Sequence, residues 1–100
     1  MHFDHVAVRV GHIQAAVNWY RSLFRATVIY QDENWSLLSV GDTKVALVLE
    51  DSHPPHFALR VNSQEDLLEP AEHRDGSMYN YIVDPWGNTV ELIYYPSEKN

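Results

Sequence analysis

The chain has 100 residues, 45% hydrophobic and 21% charged, a size and balance that predict one globular domain with a single core. A net charge of −7 argues against a nucleic-acid backbone as partner, and the absence of cysteine excludes disulfides and thiolate metal sites, so any metal must be held by His and carboxylates. No apolar run approaches the ~20 residues of a membrane span, and "MHFDHVAVRV" has no basic start and apolar stretch of a signal peptide, which predicts a cytoplasmic protein acting on a small molecule, away from membranes.

In chain order, "FDHVAVRV" (3–10) alternates and is rich in β-branched residues, as a strand does. "HIQAAVNWYRSLF" (12–24) has apolar residues at Ile13, Val17, Tyr20 and Phe24, the spacing of a helix. Gly11-His12 stands where Ser or Asp would cap it better. "TVIYQ", "WSLLSV" and "KVALVLE" read as three strands, the last two joined at Gly41-Asp42. "DSHPPH" is a connection and "HFALRV" (56–61) a strand. "SQEDLLEPAEHR" is acidic and broken by Pro70, so only a short helix is expected there. "SMYNYIV" and "NTVELIYY" form a hairpin across "DPWGN", and the tail "PSEKN" is expected to fray.

An internal repeat organises these elements. "HVAVRV" (5–10) and "HFALRV" (56–61) share the pattern His-x-Ala-x-Arg-Val. "VALVLE" (45–50) and "VELIYY" (90–95) end the two halves, each after a Gly-containing turn. The chain therefore reads as one α+β domain over 1–100, built from two β-α-β-β-β-like modules at about 1–51 and 55–96. His5 corresponds to His56, and Ala46 to Glu91. The second copy is about six residues shorter, with room for a missing strand.

Alternation assigns faces. Residues i, i+2 and i+4 of a strand point the same way. Phe3, His5, Ala7 and Arg9 share one face; Asp4, Val6, Val8 and Val10 share the other, which should pack on the helix. His56, Ala58 and Arg60 form the equivalent set in the fifth strand, and Thr89, Glu91, Ile93 and Tyr95 in the last. If the two modules close around a central trough as a half-open barrel, His5, His56 and Glu91 converge. Two imidazoles and one carboxylate are a set that binds a first-row divalent metal and leaves positions open. The rival reading pairs Glu91 with Arg9 or Arg60 as a buried salt bridge. Arg9, Arg60 and Tyr81 are candidate substrate contacts; the alternative reading sends Arg9 and Arg60 to solvent and makes Tyr81, like Trp35 and Trp86, core or pocket wall. His2, His12, His53 and His73 read as solvated.

The chain resembles the vicinal oxygen chelate superfamily, which includes glyoxalase I, bleomycin- and fosfomycin-resistance proteins, methylmalonyl-CoA epimerase and extradiol dioxygenases. "FDHVAVRV", "AAVNWYRSLF", "HFALRV" and "IVDPWGNTVELIYY" carry the resemblance. The last is the most specific, with two residues between the Asp-Pro-x-Gly-Asn turn and the ligand Glu. The resemblance implies His5, His56 and Glu91 as ligands of one divalent ion (Fe, Mn, Ni or Zn), and a homodimer, with the site formed within one chain or between exchanged halves. The fourth ligand of glyoxalase I falls on Ala46, and Glu50, four residues on and roughly 13 Å away at the usual rise, should not reach the same ion. Ala46, the short second helix and "LFR" at the end of the first set the chain apart from glyoxalase I.

The expected function is thus a metal-dependent, glyoxalase-like isomerase or lyase acting on a small vicinal-oxygen compound. Its alternatives are a metal-free binding protein of bleomycin-resistance type and an extradiol-type dioxygenase. The latter needs an additional acid/base His, and none phases onto the trough face. A carboxylate buried without a partner would also make Glu91→Gln more stable than the metal-free parent.

Overall fold

The computed structural model describes residues 1–49, 54–73 and 75–96. The expectations for Glu50, His53 and the tail from Ser97 onward lie outside them. The described chain is α+β and divides into two compact units, His5–Pro55 and Met1–Asp4 together with His56–Asn100. Among the described residues, no helix is long and apolar enough to cross a membrane.

In the His5–Pro55 unit, β1 (His2–Val10) enters, followed by α1 (Ile13–Phe24), β2 (Thr27–Gln31), β3 (Trp35–Val40) and β4 (Thr43–Leu49). The strands lie in the order β2-β3-β4-β1, with β1 parallel to β4 and the other pairs antiparallel. A parallel pair needs a long crossover, and α1 with β2 and β3 supplies it. The helix is capped after all: the His12 backbone is extended and its Nδ1 accepts from the Ala15 N–H at 3.2 Å. A 12-residue helix is marginal alone, so packing must hold it. Ile13 and Val17 meet Leu38, Leu47 and Ala26 in the core, flanked by Val8, Val10 and Val45. Phe24, in phase with them, remains half exposed at the last turn, beside Trp19 and Leu23. The β3–β4 turn places Gly41 at φ 58°, in the left-handed region where a side chain would be strained.

The other unit holds β5 (His56–Arg60), a 3₁₀ turn (Gln64–Asp66), β6 (Ala71–Glu72), β7 (Met78–Val83) and β8 (Thr89–Tyr94). Their order is β5-β8-β7-β6, with β5 parallel to β8. This repeats the first unit's pattern with all four strands, so the room for a missing strand is taken up elsewhere. The helix has shrunk to one 3₁₀ turn and β6 to two residues. Pro70 lacks an N–H and blocks any helical continuation into the acidic segment.

Register confirms the repeat at the level of single residues. Ala7 pairs with Ala46 as Ala58 pairs with Glu91, and His5 pairs with Lys44 as His56 pairs with Thr89. Glu91 and Ala46 therefore hold the same position in their units.

Asp4 and Trp86 both depart from the sequence reading. Asp4, expected against the helix, is buried with its carboxylate accepting from Arg60 at 3.4 Å and from the Tyr95 hydroxyl at 2.9 Å. Trp86, read as core or wall, is 84% exposed. The turn that carries it is closed by Asp84, whose Oδ1 accepts from the backbone N–H of Trp86 and of Asn88, each at 2.9 Å. The side-chain hydrogen bond from Asn88, then its backbone bond, holds the Asp84 carboxyl below the usual carboxylate range.

Candidate metal centre

The centre is assembled on the β5-β8-β7 sheet. Ala58, Glu91 and Tyr81 are cross-strand partners on three adjacent strands, so their side chains rise from one face in a row. His56 opens β5 two residues before Ala58 and shares that face. Tyr79, two residues before Tyr81, shares it on β7.

Glu91 is 2% exposed, and both of its carboxylate oxygens meet imidazole nitrogens. Its Oε1 lies 3.1 Å from Nε2 of the buried His56. Its Oε2 lies 2.8 Å from Nε2 of His73. An ionised carboxylate only accepts, so each facing nitrogen donates its N–H to it. The sequence reading of Glu91 as a carboxylate needing a partner is thereby answered on one side of the sheet by two histidines. Of the two arginines offered as rival partners, Arg60 has its guanidinium 3.4 Å from Asp4 and 4.5 Å over the Tyr95 ring, and Arg9 is exposed.

His73 corrects the expectation of a solvated loop histidine. It follows β6, and its backbone N–H and C=O bind Ser77 O at 2.8 Å and Gly76 N at 3.0 Å, closing a tight turn. The ring stacks on Tyr79 with centroids 3.7 Å apart and planes 8° apart. His73 brings a further imidazole to Glu91 from a turn, where strand alternation, which phases no additional His onto this face, does not apply. Periodicity could not have found it, because it stands in no strand. The available signal was Tyr79-x-Tyr81 on the strand beside Glu91, with a turn rich in polar residues just before it.

Tyr81 meets the His56 ring edge-on at 5.3 Å and Tyr79 at 5.4 Å, forming an aromatic wall. Burial, then the Glu91 charge and Tyr79, push its hydroxyl well above the ordinary tyrosine range, so it stays protonated.

His5 lies on β1 in the other unit, half-buried and paired with Lys44, at the register position that His56 holds in its own unit. Arg9, further along β1, is exposed. His2 is exposed, and His12 is engaged as the cap of α1.

The donor set suits a divalent first-row ion. His56 and Glu91 bring a ring nitrogen and a carboxylate oxygen within 3.1 Å of each other in a buried site with no thiolate, donor types that such an ion accepts.

Comparison with known proteins agrees with this architecture. The sequence profile of the Glyoxalase/Bleomycin resistance protein/Dioxygenase superfamily matches residues 2–69. The chain belongs to that superfamily. Among solved structures, methylmalonyl-CoA epimerase from Mycobacterium tuberculosis is 19% identical with a TM-score of 0.74, over 96% of this chain and 89% of that one. A hypothetical protein from Bacillus halodurans reaches a TM-score of 0.79 at 15% identity, over 98% and 96% of the two chains. A variant of Streptomyces coelicolor methylmalonyl-CoA epimerase, in complex with 2-nitronate-propionyl-CoA, is 18% identical with a TM-score of 0.74, over 96% and 98%. At these identities the likeness is one of fold. No curated protein matches the sequence.

Proposed function

We infer that the protein is a metal-dependent enzyme that moves a proton next to a carbonyl in a small compound with neighbouring oxygens, an isomerase or lyase of glyoxalase-like type. The observation that carries this reading is the buried His56–Glu91 contact at 3.1 Å, placed at equivalent register to His5 in the repeat. His56 and Glu91 would hold the ion, with His5 as the third ligand from the same chain or from a second copy. Bound there, a divalent ion supplies Lewis-acid polarisation of a substrate oxygen.

The chain's own side chains supply the rest. Tyr79 and Tyr81 wall the site on one side. The protonated Tyr81 hydroxyl offers a hydrogen bond to a substrate oxygen. We favour Tyr81 over Arg60 as the substrate contact, because the guanidinium is already engaged by Asp4 and Tyr95. The epimerase named among the structural neighbours makes CoA thioesters worth testing beside 2-oxo and 2-hydroxy acids.

The test is solvent-deuterium exchange followed by proton NMR, with protein loaded in turn with Mn, Fe, Ni or Zn. Exchange at the carbon beside the carbonyl of one substrate class, lost in Glu91→Gln, is the expected result. If no class exchanges with any ion while the metal-free protein retains one of these ligands tightly, the sequestering-protein reading takes the enzyme's place.

A further inference from the structure

We propose that His73 is a positioning residue that holds one oxygen of Glu91, so that the other is presented to the ion beside His56. The proposal rests on the metal-binding reading above and assigns a part of the site that the repeat does not contain.

The two carboxylate oxygens are in different hands. Oε1 is the oxygen at 3.1 Å from His56, and Oε2 is the oxygen at 2.8 Å from His73. A carboxylate on a β-strand has two rotatable bonds beyond Cβ before its oxygens are set. Burial alone does not choose which oxygen faces His56, whereas a hydrogen bond to Oε2 does. Carboxylates that ligate metals are commonly held in this way by a second group, and losing that group lowers metal affinity.

His73 is built to stay where it is. Its ring is clamped against Tyr79 at 3.7 Å and nearly parallel. Its turn is locked from below, because the Asp75 carboxylate accepts from the Ser77 backbone N–H at 2.8 Å and from the Ser77 hydroxyl at 2.6 Å. The Ser77 carbonyl in turn takes the His73 N–H. A histidine kept only for solubility would need none of this. In the first unit the equivalent of Glu91 is Ala46, so the corresponding position has no carboxylate to hold. The device therefore belongs to the second unit alone, where helix and β6 are shortened and the chain before β7 is free to bring a side chain to the sheet.

Two substitutions separate the hydrogen bond from the stack. His73→Phe keeps a flat ring for Tyr79 but has no N–H. His73→Gln keeps an amide N–H near the position of Nε2. Each is titrated with Co(II) after removal of metal by chelator, beside the parent and His56→Ala, and followed by isothermal calorimetry and by the visible d–d absorption of the bound ion. A folded far-ultraviolet circular dichroism spectrum accompanies each. The expected result is a loss of about 10- to 100-fold in affinity for His73→Phe, with an altered d–d spectrum, and recovery of most of both in His73→Gln. Parent affinity and parent spectrum in His73→Phe would overturn the proposal while leaving the metal site intact. A loss in both His73 variants as complete as in His56→Ala would overturn it the other way, making His73 a ligand. If the parent binds no Co(II), the metal reading fails and this inference falls with it.

Discussion

Glu91→Gln in the metal-free protein is a sensitive probe of how the centre is held. The carboxylate is 2% exposed and accepts at both oxygens, from His56 at 3.1 Å and from His73 at 2.8 Å. Glutamine has nearly the same shape but only one acceptor oxygen. Its NH2 must meet one of the two imidazoles, which then either opposes donor to donor or gives up its proton and changes tautomer. Either way both hydrogen bonds lose the carboxylate charge and one of them is also lost or inverted, a cost of at least about 1.5–3 kcal/mol. Relief from burying a charge acts in the opposite direction, but two N–H donors already offset that cost in the parent. The sequence alone, with the carboxylate unpartnered, favoured a more stable Gln variant; the two imidazoles reverse the sign. For a domain of this size about 1 kcal/mol shifts the melting temperature by roughly 4–8 °C, so a drop of about 6 °C or more is expected. The assay is thermal and urea denaturation at neutral pH with chelator present, parent beside variant. A Gln variant as stable as the parent, or more stable, would refute the argument that these histidines hold an ionised carboxylate.

Leu47→Ala, at a side chain with no exposure beneath α1, should cost about 2–5 kcal/mol in urea denaturation, whereas a loss under 1 kcal/mol would mean the core collapses around the gap. His12→Ala removes the cap of α1 and should lower stability by about 0.5–2 kcal/mol, with His12→Asp restoring it. The hydroxyls of Tyr81 and Tyr95 are both raised, by burial first and then by Glu91 and Asp4 respectively, so the folded state keeps protons that the unfolded state releases. Their stabilisation is full below the unfolded tyrosine value of about 10 and is lost as pH rises toward the folded values. Stability measured upward from pH ~10 should therefore fall less steeply in the double variant Tyr81→Phe, Tyr95→Phe than in the parent.

Much of the fold was legible because its signals are local or repeated. The period of Ile13, Val17 and Tyr20 marked α1, and the Gly-containing turns marked both hairpins. The His-x-Ala-x-Arg-Val repeat matched His5 with His56, and "VALVLE" against "VELIYY" matched Ala46 with Glu91 before any register was known, since strand side chains alternate with a period of two and a repeat in phase preserves faces. Contacts made by loops and strand ends were not legible. Asp4 follows the alternation of Val6 and Val8, yet its carboxylate finds Arg60 and Tyr95, more than fifty residues away in sequence. His73 sits outside any periodic element, and only the register of β7 against β8 brings Tyr79 and Tyr81, and with them the stacked imidazole, beside Glu91. His12 showed no capping signal because imidazole is an uncommon cap, although its Nδ1 accepts a backbone N–H as a Ser or Asp oxygen would.

The central claim is that His56 and Glu91 bind a divalent metal, and it is tested most directly by calorimetric titration of the chelator-stripped protein. Mn, Fe, Ni and Zn are each added at neutral pH to the parent, to His56→Ala and to Glu91→Gln, and again at acidic pH, where imidazoles compete with protons for the ion. The account predicts that at least one ion binds the parent with defined stoichiometry, that binding weakens on acidification, and that it is lost or strongly weakened in both variants. Failure of all four ions to bind the parent, or binding unchanged in both variants, would contradict it.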